Sequence, residues 1–134
     1  MTLEKLQGFF PLATFETWHQ HKNGGGWVEN TATVEDSAWV YGDAWVFSNA
    51  RVSGDAWVSG NAWVFGNARV YGGAWVYGDA RVSGDARVYG NALVSGDAWV
   101  SGDALVFGNA RVYGGAWVSG DARVSGDLVG DQKL

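Results

Sequence analysis

Valine recurs every sixth residue from Val28 to Val124, seventeen times in register, and alanine stands two residues before each of them except at Gly26. Written as one unit the repeat is Ala-x-Val-y-Gly-Asp/Asn, with x and y mostly Trp, Arg, Leu, Ser, Tyr or Phe. Along a strand, alternation puts Ala and Val on one face and x and y on the other. Four residues therefore alternate and two turn. Glycine at the first turn position tolerates a positive φ, and Asn or Asp at the second bonds its own backbone. A glycine and a β-branched residue in every unit oppose a helix. Strict self-similarity at a fixed short period predicts a solenoid of stacked strands.

Three units per coil, 18 residues, sort position x into three faces. The first carries Trp27, Trp45, Trp63, Arg81, Trp99 and Trp117; the second Thr33, Arg51, Arg69, Arg87, Leu105 and Arg123; the third Trp39, Trp57, Trp75, Leu93 and Arg111. Eight tryptophans fall on two faces and none on the other. Random filling would seldom segregate them so, which supports a three-sided, single-stranded parallel β-helix of about 18 residues per coil.

Residues 1–26 lack the repeat. They hold the only proline, both histidines and large apolar residues that fall outside the six-residue register, among them Leu3, Leu6, Phe9, Phe10, Leu12, Phe15 and Trp18. A solenoid end exposes a section of core and a row of unpaired backbone groups, so this segment is predicted to cap it. Short helices over 2–8 and 14–21, with Thr2 and Thr14 as N-caps, fit best. Gly24-Gly25-Gly26 turns the chain into the first strand. The expected organisation is a cap over 1–26, a solenoid over 27–127 and a tail over 128–134. In that tail the phase slips, and Leu128, Val129 and Leu134 either fold over the far end or leave it to meet another molecule.

Composition sharpens this. Apolar content is largely Val, Ala and Trp, which implies a narrow core of small side chains. With no cysteine, neither a disulfide nor a thiolate metal site holds the fold. A net charge of -5 argues against nucleic acid as a partner. Glu4, Gln7 and Pro11 interrupt the N-terminal apolar run, so no signal peptide and no membrane span are expected. The reading is a protein of the cytoplasm, or of a particle assembled there.

Val46-Phe47-Ser48-Asn49-Ala50-Arg51 and its relatives resemble the hexapeptide repeat of left-handed parallel β-helix proteins such as the hexapeptide acyltransferases. The variant Ala-Arg-Val-Tyr-Gly-Asn is closer to the non-enzymatic-looking β-solenoid repeats of bacterial and bacteriophage proteins. The resemblance covers about three quarters of the chain and implies a left-handed coil, a hand that the general crossover rule would not supply. Hexapeptide acyltransferases use a histidine base and a loop extruded from the coils. Here His19 and His21 precede the repeat and nothing interrupts it, so that activity is not carried over.

Stacked coils lie about 4.8 Å apart, so like residues on a face form ladders. Trp27-Trp45-Trp63, flanked by Phe47 and Phe65, is one; with Trp99, Trp117, Trp39, Trp57 and Trp75 these residues make the candidate interface. Such rings either clad a thin solenoid by stacking on each other or face a partner, since their summed patch exceeds the roughly 300–600 Å² usual on a monomer. On the second face Arg51, Arg69 and Arg87, with Tyr71 and Tyr89 beside them, form a candidate anionic-partner track. The plainer alternative is that their guanidinium groups stack on those rings while Asp turns neutralise them. Asp85, Asp103 and Asp121 align at one corner, but the calcium-binding nine-residue pattern is absent and they read as turn formers. No catalytic set, phosphate loop or metal-ligand cluster is visible, and no cofactor is expected. The expected function is a non-catalytic structural or interaction solenoid that forms homo-oligomers through its Trp faces. A carbohydrate-binding module that uses the Trp ladders on a polysaccharide, and a small phage-type inhibitor that offers its Arg/Tyr or acidic surface to a host protein, are the alternatives.

Overall fold

A computed structural model describes residues 2–129. It is a parallel β-solenoid of about six coils, 18 residues each, with little helix. Numbered from residue 26, coil 1 spans 26–43, coil 2 spans 44–61, coil 3 spans 62–79, coil 4 spans 80–97 and coil 5 spans 98–115; coil 6 begins at 116. Each coil adds one strand to each of three sheets. In the first sheet Trp27 pairs with Trp45 and Trp45 with Trp63; in the second Arg51 pairs with Arg69 and Arg69 with Arg87; in the third Trp39 pairs with Trp57 and Trp57 with Trp75. These are the faces that the 18-residue count defines.

The strands are short, most of them only x and Val, because the turn takes over immediately afterwards. Every Val from Val40 to Val118 is fully buried, and Ala lines the column beside it. The core is thus one continuous Ala/Val filament, narrow as the composition requires. Backbone N–H groups of each coil donate to carbonyls of the next at 2.8–3.0 Å along strands and turns alike, as in Arg69 N to Ala86 O at 2.9 Å and Asp85 N to Gly102 O at 2.8 Å. That continuous ladder satisfies the polar backbone of so thin a structure.

At the first turn position the residue sits in the left-handed region, with Gly84 at φ +64° and, in place of glycine, Ser48 at φ 60°. The turn glycines also stack. A Cβ on Gly84 would lie 2.9 Å from Gly102 N, against backbone that cannot yield independently. Gly84→Ala is expected to cost about 1–3 kcal/mol through left-handed strain and this clash together, read as a lowered urea midpoint. An unchanged midpoint would show that the turn column relaxes freely.

The N-terminal segment departs from expectation. One helix forms, Leu3–Gln7, with Thr2 Oγ1 accepting from Lys5 N at 3.2 Å as its N-cap. No second helix follows. Thr14–Thr17 makes a single turn, in which Trp18 N donates to Thr14 O at 2.9 Å, and Trp18–Gln20 then pairs antiparallel with Trp27–Glu29. The unpaired edge of coil 1 offers a row of backbone partners, which outweighs weak local helix propensity. Further along, Gly26 N donates to Val40 O at 2.7 Å and the buried His21 donates from Nε2 to Ala38 O at 2.7 Å, so the third sheet's first edge is covered too. At the far end Asp127–Val129 joins the third sheet, pairing Leu128 with Val112, and Leu128 takes a valine's place in the core. The expected tail therefore begins as a strand of the solenoid. Residues 130–134, including Leu134, lie outside the described residues.

Among the described residues, no helix is long and apolar enough to cross a membrane.

Candidate functional site

Position x points outward on all three sheets, but the surfaces it creates differ. On the first sheet the N-terminal segment lies sideways over the ladder rather than only across the solenoid's end. Leu6, Ala13 and Trp18 form a second small core with Trp27 and Trp45. Phe9 and Phe10 meet the Trp45 ring at 4.8 Å and 5.2 Å, and Phe10 meets Phe47 at 5.2 Å. Trp27 and Trp45 keep only 1% and 2% of their surface exposed. This corrects the expected interface, since neither indole is available to a partner. Phe47 is half-buried beside them, stacked on Phe65 at 4.8 Å. The apolar residues outside the repeat's register were legible as a cap; that their target is an outward Trp ladder depends on a sideways path no local pattern encodes.

Beyond the segment the ladder is interrupted. Arg81 takes the fourth rung, its guanidinium carbon 4.4 Å from the Trp63 ring and 5.6 Å from Trp99. Trp99 in turn stacks on Trp117 at 5.3 Å and donates from Nε1 to Ser83 Oγ at 3.3 Å. A groove of about 430 Å³ runs beside this rung, and Asp43, Asn61, Asp79 and Asp97 line it with the rings. Arg81 thus separates Trp27, Trp45 and Trp63 from Trp99 and Trp117 along the ladder.

The third sheet keeps its ladder open. Trp57 and Trp75 stack at 4.7 Å and 5°, Trp39 meets Trp57 at 5.9 Å, and Tyr41 packs against both Trp39 and Trp57 at 5.3 Å and 5.4 Å. Trp75 is 42% exposed, with Tyr77 and Tyr113 exposed in the next column. No other segment of the described chain covers this face, and its ladder of coils 1–3 carries no charge at x or y.

The second sheet places Arg51, Arg69 and Arg87 in register and exposed, as the 18-residue count predicts. Tyr71 stacks on Tyr89 at 5.0 Å and Tyr89 on Phe107 at 5.5 Å in the column alongside. Asp85 lines one groove with Arg51, Arg69 and Arg87 without a direct ion pair to any of them among the described residues. The cation–ring contact belongs to Arg81 on the first sheet, and no carboxylate pairs with Arg51, Arg69 or Arg87 among the described residues. Phe107 was not among the anticipated residues, although its position y in the same column marks it.

Each histidine makes a hydrogen bond to coil 1. His19 Nδ1 lies 2.6 Å from Asn30 Oδ1, and His21 is held by the Ala38 carbonyl.

With this architecture in view, six overlapping stretches, residues 50–65, 62–78, 74–88, 86–102, 98–114 and 104–120, match the YdcK Beta solenoid repeat. The chain belongs to the YdcK beta-solenoid repeat family. Together the matched stretches run unbroken from coil 2 to coil 6 and take in more than half the chain, each of them spanning between two and three of the six-residue Ala-x-Val-y-Gly-Asp/Asn units. The matches begin after the two coils' worth of chain that the N-terminal segment and coil 1 occupy, where Gly26, Thr31 and Ser37 break the unit. No curated protein and no solved structure matches the chain.

Proposed function

We propose that this solenoid is a non-catalytic interaction module, three-sided and left-handed, that self-associates through the open tryptophan ladder of its third sheet. The observation that carries this reading is the contrast between its two ladders. The first rungs of one, Trp27 and Trp45, are sealed by the chain's own Leu6, Phe9, Phe10 and Trp18; the other, with the same chemistry, has no cover from the described chain. A flat, uncharged aromatic array suits another copy of itself, because burying a large aromatic contributes on the order of 2–3 kcal/mol and several stand on one surface. A two-fold contact brings ladder against ladder without any loop. The left hand follows from the resemblance to hexapeptide β-helices, and the setting is the cytoplasm or a particle assembled there.

Sedimentation velocity at micromolar concentration is expected to show a homo-oligomer. Trp57→Ser combined with Trp75→Ser should raise the dissociation constant at least about 100-fold while the far-ultraviolet signal of the strands persists. A parent that stays monomeric at about 100 µM, with indole emission at the wavelength of exposed rings, overturns the reading.

A further inference from the structure

Charge on the second sheet is set by position x together with the corner residue two places before it. Arg51, Arg69 and Arg87 fill x in coils 2, 3 and 4, all of them exposed. Their corner residues are Asn49, Asn67 and Asp85; in coils 5 and 6 Asp103 precedes Leu105 and Asp121 precedes Arg123. Arg51 and Arg69 thus follow neutral amides, whereas Arg87 and Arg123 follow carboxylates. Two grooves flank the row. One of about 490 Å³ is lined by Asn49, Asn67 and Asp85 with the three arginines, and one of about 480 Å³ by Glu35, Ser53 and Tyr71 with Arg51 and Arg69. Neither Glu35 nor Asp85 forms an ion pair with an arginine among the described residues; Asp36 is taken by Lys22 at 3.1 Å, and Asp55 lies at the next corner, beside the third sheet. The strip is therefore positive over coils 2 to 4, three arginines against Asp85, and negative at either end, at Glu35 and at Asp103.

We propose that this row binds an acidic helix of another protein, laid along the solenoid axis with a carboxylate on each arginine. The site uses a face that the self-association reading leaves free and does not rest on that reading. Like charges held in register on strands about 4.8 Å apart repel one another, and anions along the row relieve that repulsion. An exposed ion pair contributes little by itself, so an occupant gains affinity here only by carrying several anions at the spacing of the coils. The second and third arginines stand about 4.8 and 9.6 Å along the axis from the first. Helix positions i+3 and i+7 stand about 4.5 and 10.5 Å from position i on the same face, inside the play of an arginine side chain. Same-face carboxylates of an extended strand, about 6.6 Å apart, are out of step by the third. The next rung narrows the choice again. There the row turns apolar, with Leu105 half-buried at x and Phe107 half-buried beside it at y. A helix can set an apolar residue there, at i+10, about 15 Å along; a uniform polyanion would bring another charge. Unpaired bases find no stacking platform, because Tyr89 already has Tyr71 on one face and Phe107 on the other.

The probe is a synthetic alanine-based helical peptide with glutamate at i, i+3 and i+7 and leucine at i+10, followed by fluorescence anisotropy at low ionic strength. It should bind at least about tenfold more tightly than a peptide of the same composition whose glutamates are spread around the helix. Arg69→Glu should weaken binding about tenfold, and Leu105→Ser should weaken it less. Asp85→Asn should tighten it, because the carboxylate that opposes the ligand is gone. A peptide with lysine in place of each glutamate should bind the Arg51→Glu, Arg69→Glu, Arg87→Glu protein and not the parent, which separates lost recognition from lost folding. A parent that binds neither glutamate peptide, or both equally, overturns the proposal. So does binding indifferent to Arg69→Glu, or a heparin oligosaccharide that displaces the peptide at a lower concentration of charge. The parent and the Trp57→Ser, Trp75→Ser protein should bind the peptide alike, so the third-sheet reading stands or falls separately.

Discussion

Val70→Asp is expected to cost about 4 kcal/mol or more, and to leave the purified protein unfolded or melting far below the parent. Val70 is fully buried at the middle of the filament, paired through its strand with Val52 below and Val88 above, and its core contains only apolar side chains. A carboxylate placed there has neither a cation nor a donor to meet, and removing a charge from water without such partners costs several kcal/mol. Because coils touch only their neighbours, a break at coil 3 also separates the sealed N-terminal part from the nearly three coils' length of described chain beyond it. The penalty belongs to the ionised form. Burial raises the folded-state pKa of such a carboxyl above its unfolded value, so the folded protein takes up the proton first and the penalty shrinks as the pH falls through that range. Val70→Asn provides the uncharged control. Urea melts in which Val70→Asp equals Val70→Asn at neutral pH, or equals the parent, would show that position 70 is not in a dry core.

Gly26→Ala should destabilise by about 3 kcal/mol, although alanine occupies the equivalent place in every other unit. A Cβ on Gly26 would lie 2.8 Å from both the carbonyl carbon and oxygen of Val40, and it would run into the Val40 Cγ1 methyl as well. Two of the three contacts are backbone, and that backbone is fixed by the hydrogen bond from Gly26 N to Val40 O at 2.7 Å. Relief therefore requires the Gly24–Gly26 crossing to lift from coil 1, which opens the edge that His21 and Gly26 close. The reverse change at an ordinary position, Ala44→Gly, should cost only about 1 kcal/mol, for lost packing and added chain entropy. A thermal melt in which Gly26→Ala matches or exceeds the parent would show that the crossing does not press on Val40.

These two substitutions also separate what the repeat encodes from what it does not. Val70 can be placed from the chain alone: its period of six assigns it inward, and its period of 18 names Val52 and Val88 as neighbours. Gly26 reads in the sequence as a lapse in the repeat, and only the crossing of residues 23–26 over coil 1 shows why glycine is required there.

The sequence by itself determined the solenoid, the membership of its three sheets, the inward Ala and Val columns and the registered Trp and Arg rows. It could do so because each coil repeats the last, so a local pattern of six residues is also the tertiary contact list: a residue's neighbours in space lie 18 positions away along the chain. Tertiary structure decided everything that breaks this translation. The segment before the repeat has no equivalent copy to pair with, and its route was set by competition among exposed edges and an exposed ladder, which turned an expected second helix into the strand Trp18–Gln20 and buried Trp27 and Trp45. The seating of Arg81 between Trp63 and Trp99, while Arg69 stands between Arg51 and Arg87, follows instead from the translation itself, since those neighbours lie 18 positions to either side. Both arginines occupy position x of the same unit, and what distinguishes them is which side chains stand one coil above and below.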